Sequence, residues 1–81
     1  MKDVLTKLVE IAMKAKELND SMEALGYQEN PYWDMYTMSA EAIYIMIGEN
    51  ADSSFEESVT YKALNAPDLT TDQRVSLLLN A

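Results

Sequence analysis

With 81 residues, the chain has room for one domain and a thin core, because a chain this short buries only roughly 60 to 65 per cent of the surface its unfolded form exposes. It contains no cysteine and no histidine, which removes disulfides, thiol nucleophiles, the usual zinc ligands and the commonest general base near neutral pH. The formal net charge of −8 repels phosphate backbones and anionic membranes, and so argues against direct nucleic-acid binding.

The charge is unevenly placed. Residues 1–16 carry Lys2, Lys7, Lys14 and Lys16 against Asp3 and Glu10, a net of +2. Residues 17–61 hold ten acids and no base, a net of −10, and residues 62–81 balance Lys62 and Arg74 against Asp68 and Asp72. Asp3 and Glu10 interrupt the N-terminal apolar positions, and the longest apolar run, Ala42 to Ile47, is only six residues. Neither a signal-peptide core nor a membrane-spanning helix is expected, and a cytoplasmic protein is the default.

The first predicted element is a helix from about residue 3 to residue 25. Leu5, Leu8, Ile11 or Ala12, Ala15, Leu18, Met22 and Leu25 recur at three- and four-residue steps, the period of one helix face. Val4 and Val9 widen the stripe, while Glu10 and Lys14 have the favourable i,i+4 polarity. Gly26 can end the helix in a left-handed conformation.

A second helix is expected from Pro31, with Asn30 as its cap and proline at the first helical position. Its best stripe is Tyr32, Met35 or Tyr36, Ser39, Ala42 or Ile43, and Met46 or Ile47, with Gly48 as the stop. A break at Ser39 competes with this reading, and "IYIMI" could be a buried strand by β-propensity. Helix is preferred because "SAEA" runs into that stretch without a turn signal and no second strong strand is visible.

A third helix is expected after Ser53, where Ser53 and Glu56 have capping-box spacing. Phe55, Val59, Tyr61 or the stem of Lys62, Ala63 and Leu64 would cover the core. "NAPD" then breaks the chain over residues 65–68. Thr70 and Gln73 repeat the box before a fourth helix. Val75, Leu78 and Leu79 are its expected buried side, Leu77 lies near the edge, and Arg74 is expected at the surface. The expected fold is all-α: a compact four-helix domain with short turns, orthogonal or bundle-like. No heptad pattern of coiled-coil length is evident.

The aromatic group at the start of the second helix is the main candidate site. Tyr32, Trp33 and Tyr36 fall on its first turns, and Tyr27 precedes them. Residues 32 and 33 point about 100° apart on a helix, so either two faces are buried within the domain or one is offered to a partner. Tyr and Trp are enriched at interface hot spots. The expectation is a partner-binding surface with Tyr32, Trp33 and Tyr36 as anchor and Glu29, Asp34 and Glu41 as an electronegative rim.

Other constellations are weaker. Glu17, Asp20 and Glu23 on the first helix, and the adjacent Glu56 and Glu57, read as solvated carboxylates. Asn50, Asp52 and Ser54 alternate like a calcium loop, but Phe55 stands where glycine is needed and Tyr61 where the bidentate glutamate belongs. No metal, cofactor or catalytic residue is expected. Asp52 and Ser53 at an expected helix start resemble the Asp-Ser-Leu triplet of acyl carrier proteins, which are also small, acidic and four-helical. The resemblance covers two residues, and Ser54 replaces the leucine; it implies a carrier role with the prosthetic group on Ser53.

Three functional expectations follow: a non-enzymatic protein–protein interaction module, acting by binding or scaffolding on a protein partner of basic character or on itself; an inhibitor of a nucleic-acid-binding protein through charge mimicry; and the acyl-carrier-like role.

Overall fold

The computed structural model describes residues 1–49 and 58–80. They form four helices: α1 (Lys2–Ala24), α2 (Pro31–Ile47), α3 (Val59–Asn65) and α4 (Thr71–Leu79). The architecture is an all-α, four-helix bundle in which α1 packs against each of the other three. The core is built from Leu5, Val9, Ala12 and Ala15 of α1, Tyr36, Ala40 and Ile43 of α2, Ala63 and Leu64 of α3, and Val75 and Leu78 of α4.

Both long helices stop in the same way. Gly26 has φ +97° and Gly48 φ +71°, a region that only glycine enters without strain. After α1, Gly26 N–H donates to Glu23 O and Tyr27 N–H to Met22 O. After α2, Gly48 N–H donates to Ile45 O and Glu49 N–H to Tyr44 O. These paired bonds form the Schellman motif, which satisfies the last carbonyls of each helix.

The second stop also positions the third helix. Leaving the motif at Gly48 brings the Glu49 carboxylate to the start of α3. There it accepts from Val59 N–H at 2.6 Å, Thr60 N–H at 3.2 Å and the Thr60 hydroxyl at 2.8 Å. Ser58 caps the same turn, accepting from Tyr61 N–H at 2.9 Å, and Tyr44 of α2 donates its phenol to Ser58 Oγ at 2.7 Å. A carboxylate over the free N–H groups of a helix start is favoured by hydrogen bonding and by the helix dipole.

The α1–α2 turn is tied by two asparagines. Asn30 Oδ1 accepts from Tyr32 N–H at 3.1 Å, capping α2, while its amide donates to Asn19 Oδ1 at 2.9 Å. Asn19 is buried in the α1 face. A hydrogen-bonded pair at that depth fixes how the two helices meet, since either amide left alone would lose a buried partner.

At the other end, Ala66 is extended before Pro67, and Thr70 and Gln73 form the reciprocal capping box of α4. The expected surface position of Arg74 is corrected: it is only 6 % exposed. Its Nη1 donates to Ala63 O and Ala66 O, each at 2.9 Å. The guanidinium thus caps the C-terminal end of α3, where carbonyls lack helical partners and positive charge is favoured.

Further corrections concern the ends of the stripes. Leu25 and Leu79, expected to be buried, are exposed: Leu25 lies past the end of α1 at Ala24, and Leu79 stands about 100° round the helix from Leu78, off the side of α4 that Arg74, Val75 and Leu78 bury. The alternatives of a break at Ser39 or a strand over "IYIMI" are not realised: α2 is continuous, and Ser39 returns its hydroxyl proton to Met35 O at 2.8 Å. The proposed Ser53–Glu56 cap lies outside the described residues; the described third helix begins at Val59, capped by Ser58.

Glu49→Ala should destabilise the fold by about 1–2 kcal/mol, the range of a lost helix cap. Arg74→Met, which leaves two carbonyls without their donor, should cost about 1–3 kcal/mol. Urea unfolding followed by circular dichroism checks both, and an unchanged midpoint in either variant would refute the corresponding cap.

Candidate interaction surface

The sides of α2 have different neighbours. Tyr36, Ser39, Ala40 and Ile43 point into the core. Tyr44, through its bond to Ser58, marks the side that faces α3. The far side carries Met35, Met38 and Ile45 in solvent, with Met38 68 % and Ile45 81 % exposed. Asp34 and Glu41, both exposed, run along the outer edge of that apolar strip.

The expected aromatic anchor therefore divides. Tyr36 is only 4 % exposed, so it is a core residue and not a surface contact. Its phenol oxygen accepts from Asn65 Nδ2 at 3.0 Å, and Asn65 Oδ1 accepts from Lys16 Nζ at 2.7 Å, linking α1, α2 and α3. Trp33 is 54 % exposed and lies on the Tyr36 ring, with centroids 5.6 Å apart and planes tilted by 33°. Tyr32 is half-buried and Glu29 is exposed at the α1–α2 turn. The acids and the tryptophan are not concentric: Asp34 and Glu41 border Met38 and Ile45, whereas Trp33 sits on the Tyr36 side of the helix.

The complementary strip lies on α1. Lys16, bonded to Asn65, marks the side of α1 facing α3. On the opposite flank Val4 and Ile11 are half-exposed, seven residues apart, and Lys7 and Lys14 follow on the outer edge. At about 100° per residue, the Val4–Ile11 flank and the Met35–Met38–Ile45 side of α2 turn toward the same face of the hairpin, the one that α3 and α4 leave uncovered. Leu8 and Met46 floor it, partly buried against the core.

Sequence reasoning missed this face although its signal was present. Val4, Ile11, Leu18 and Leu25 repeat every seven residues, as do Met38 and Ile45. Assigning most of them to one broad core stripe hid the fact that the stripe is wider than one neighbouring helix can cover.

No family model, curated relative or solved structure matches the chain. The functional reading rests on the geometry. Among the described residues, no three Asp or Glu side chains gather into a group that could hold a metal ion. Glu17, Asp20 and Glu23 are exposed, and Glu17 meets Lys14 at 3.6 Å with both side chains in solvent, a pairing of little energetic consequence. No helix among the described residues is long and apolar enough to cross a membrane.

Burial raises the pKa of the Tyr36 phenol above its ordinary value, the Asn65 hydrogen bond partly opposing the shift. The protonated phenol is therefore favoured in the folded state. Stability from this group is fully present below the unfolded pKa of about 10 and is lost as pH rises through the higher folded value. In Tyr36→Phe that alkaline loss should be smaller than in the parent, measured as unfolding free energy between pH 9 and 11; equal slopes would show that Tyr36 is not the group involved. Tyr36→Ala should cost about 3–5 kcal/mol, the range for a buried aromatic ring, while Trp33→Ala should stay folded and lose about 1 kcal/mol.

Proposed function

We propose that the protein is a non-enzymatic interaction module whose binding surface is the face of the α1–α2 hairpin that, among the described residues, α3 and α4 leave open. The observation that carries this reading is the pair Met38 and Ile45, the most exposed large apolar side chains within the helices apart from their ends, set in one strip with acidic neighbours along its outer edge. Isolated exposed hydrophobics are ordinary on any protein. A continuous apolar strip shared by two helices and rimmed by charge is the pattern of an interaction site. Burial of Met38 and Ile45 against a partner would supply affinity, with methionine adapting its shape to the opposing surface. Asp34 and Glu41 would orient the partner and speed encounter.

This reading keeps the expected electronegative rim at Asp34 and Glu41, and replaces Tyr36 with Met38 and Ile45 as the anchor. Trp33 becomes an accessory contact on an adjoining side. Charge mimicry of nucleic acid draws support only from the net charge of residues 17–61, and the carrier reading rests on Ser53, outside the described residues.

The test compares the parent chain with Met38→Glu/Ile45→Glu as bait for direct binding partners, including the chain itself. The variant should retain its circular dichroism spectrum and urea midpoint, because neither side chain is buried, and should lose at least about tenfold in affinity, as hot-spot truncations do. Undiminished binding by a folded variant would place the surface elsewhere, with Trp33→Ala as the next position to read.

A further inference from the structure

We infer that the partner of the hairpin face is a second copy of this chain, seated with α1 of each copy over α2 of the other. The inference rests on the binding surface proposed above and identifies its occupant from charge.

Four pairs of residues share one spacing. Val4 and Ile11, Lys7 and Lys14, Asp34 and Glu41, and Met38 and Ile45 are each seven residues apart, about 10.5 Å along a helix axis. The first two pairs lie on α1 and the last two on α2. Across the open face the order is lysine edge, apolar strip of α1, apolar strip of α2, acidic edge. The open face thus carries lysines along one edge and acids along the other, with Lys14 also meeting Glu17 at 3.6 Å on the side of α1 turned away from that face.

Two such faces can pair by a twofold axis in only two simple ways. An axis perpendicular to the helices places α1 on α1 and brings Lys7 and Lys14 against their own copies, with Asp34 and Glu41 likewise opposed. An axis parallel to the helices places α1 on the α2 of the other copy, so each lysine edge lies over an acidic edge. Charge selects the second arrangement, which is isologous and closed.

Register agrees with that arrangement. The Asn19–Asn30 bond, together with Lys16 and Tyr36 meeting on Asn65, sets the relative heights of the antiparallel α1 and α2. On that scale Lys14 of one copy stands at a height between those of Met35 and Met38 in the other, within the span from Asp34 to Glu41. Lys7 stands about one turn beyond Glu41. Both offsets are within the reach of a lysine side chain. The resulting layer of four helices is flanked by rim charges in the manner of the charged positions beside a helical seam. It also puts the basic segment 1–16 of one copy against part of the acidic segment 17–61 of the other, which lowers the repulsion expected between two chains of charge −8.

Sedimentation equilibrium over a range of protein concentrations decides the matter. The parent chain should dimerise, and Met38→Glu/Ile45→Glu should be a folded monomer. Lys7→Glu/Lys14→Glu should weaken the dimer by about 2- to 5-fold per rim pair. Adding Asp34→Lys/Glu41→Lys to that variant should restore it, since the exchanged edges again face opposite charge at the parent net charge. Lys2→Glu/Lys62→Glu, with the same change in net charge as Lys7→Glu/Lys14→Glu but outside the face, should weaken the dimer less. Weakening by Lys7→Glu/Lys14→Glu beyond that of Lys2→Glu/Lys62→Glu, followed by rescue on exchange, establishes α1 over α2; rescue after weakening no greater than that control overturns it, because α1 on α1 faces like with like in both the parent and the exchanged chain. A dimer weakened by both separate charge reversals and not rescued by their combination overturns that arrangement. A monomeric parent that still captures another protein through Met38 and Ile45 overturns the second copy and leaves the binding surface standing. A dimer indifferent to Met38→Glu/Ile45→Glu overturns both.

Discussion

The structure depends on how α1 and α2 lie against each other. Ala12, Ala15 and Ala40 are small residues buried in the one thin core that serves the hairpin and the two shorter helices together. A domain of this size has little apolar area to lose. Its geometry is accordingly set by polar ties between helices as well as by burial: Asn19 to Asn30 at the turn, and Lys16, Asn65 and Tyr36 between α1, α2 and α3. These bonds add modestly to stability, because folding exchanges them for bonds to water. Their larger effect is selective. Any sliding of α2 along α1 would strip the partner from the buried Asn19 amide, and among the described residues no buried side-chain nitrogen or oxygen lacks one.

The short helices follow from the same economy of means. A seven-residue helix such as α3 cannot hold itself in water, since helix nucleation is costly and its gain per residue small. It is capped from outside at both ends. Glu49 arrives from the end of α2 and binds its first N–H groups, and Arg74 arrives from α4 and binds its last carbonyls. The two charges match the two ends of the helix dipole. The helix is thereby anchored to its neighbours through its weakest points.

Much of this was legible in the sequence where local chemistry decides. Asn30 before Pro31, Gly26, Gly48 and the Thr70–Gln73 box act within a few residues, and the helices start or stop at them. The long-range roles were not legible. Nothing in the local sequence around Arg74 says that it points back eleven residues to Ala63, and Glu49 looks like one more surface acid until Gly48 turns it toward α3. Periodicity also failed where it was most abundant. Apolar residues wrap so far around α1 and α2 that the core stripe could be drawn through Ile11 or Ala12, and through Met35 or Tyr36, equally well. Packing chose Ala12 and Tyr36. The candidate site changed with that choice, since an aromatic ring drawn inward leaves a methionine outside.

That exchange bears on why the apolar face exists. A marginal domain gains stability by turning its large apolar side chains inward, and selection for folding alone has no use for an isoleucine 81 % exposed at Ile45. Meanwhile Asn19, Thr60 and Arg74 are buried, each needing dedicated hydrogen bonds. Polar groups inside and an ordered apolar strip outside run against the optimum for a lone domain, yet suit a subunit whose second layer is another molecule. The polar ties hold the hairpin in one geometry before association, so less freedom is lost on binding. In the proposed dimer the heptad-spaced strip would meet its partner already in register, and the charged edges would disfavour the pairing in which like meets like.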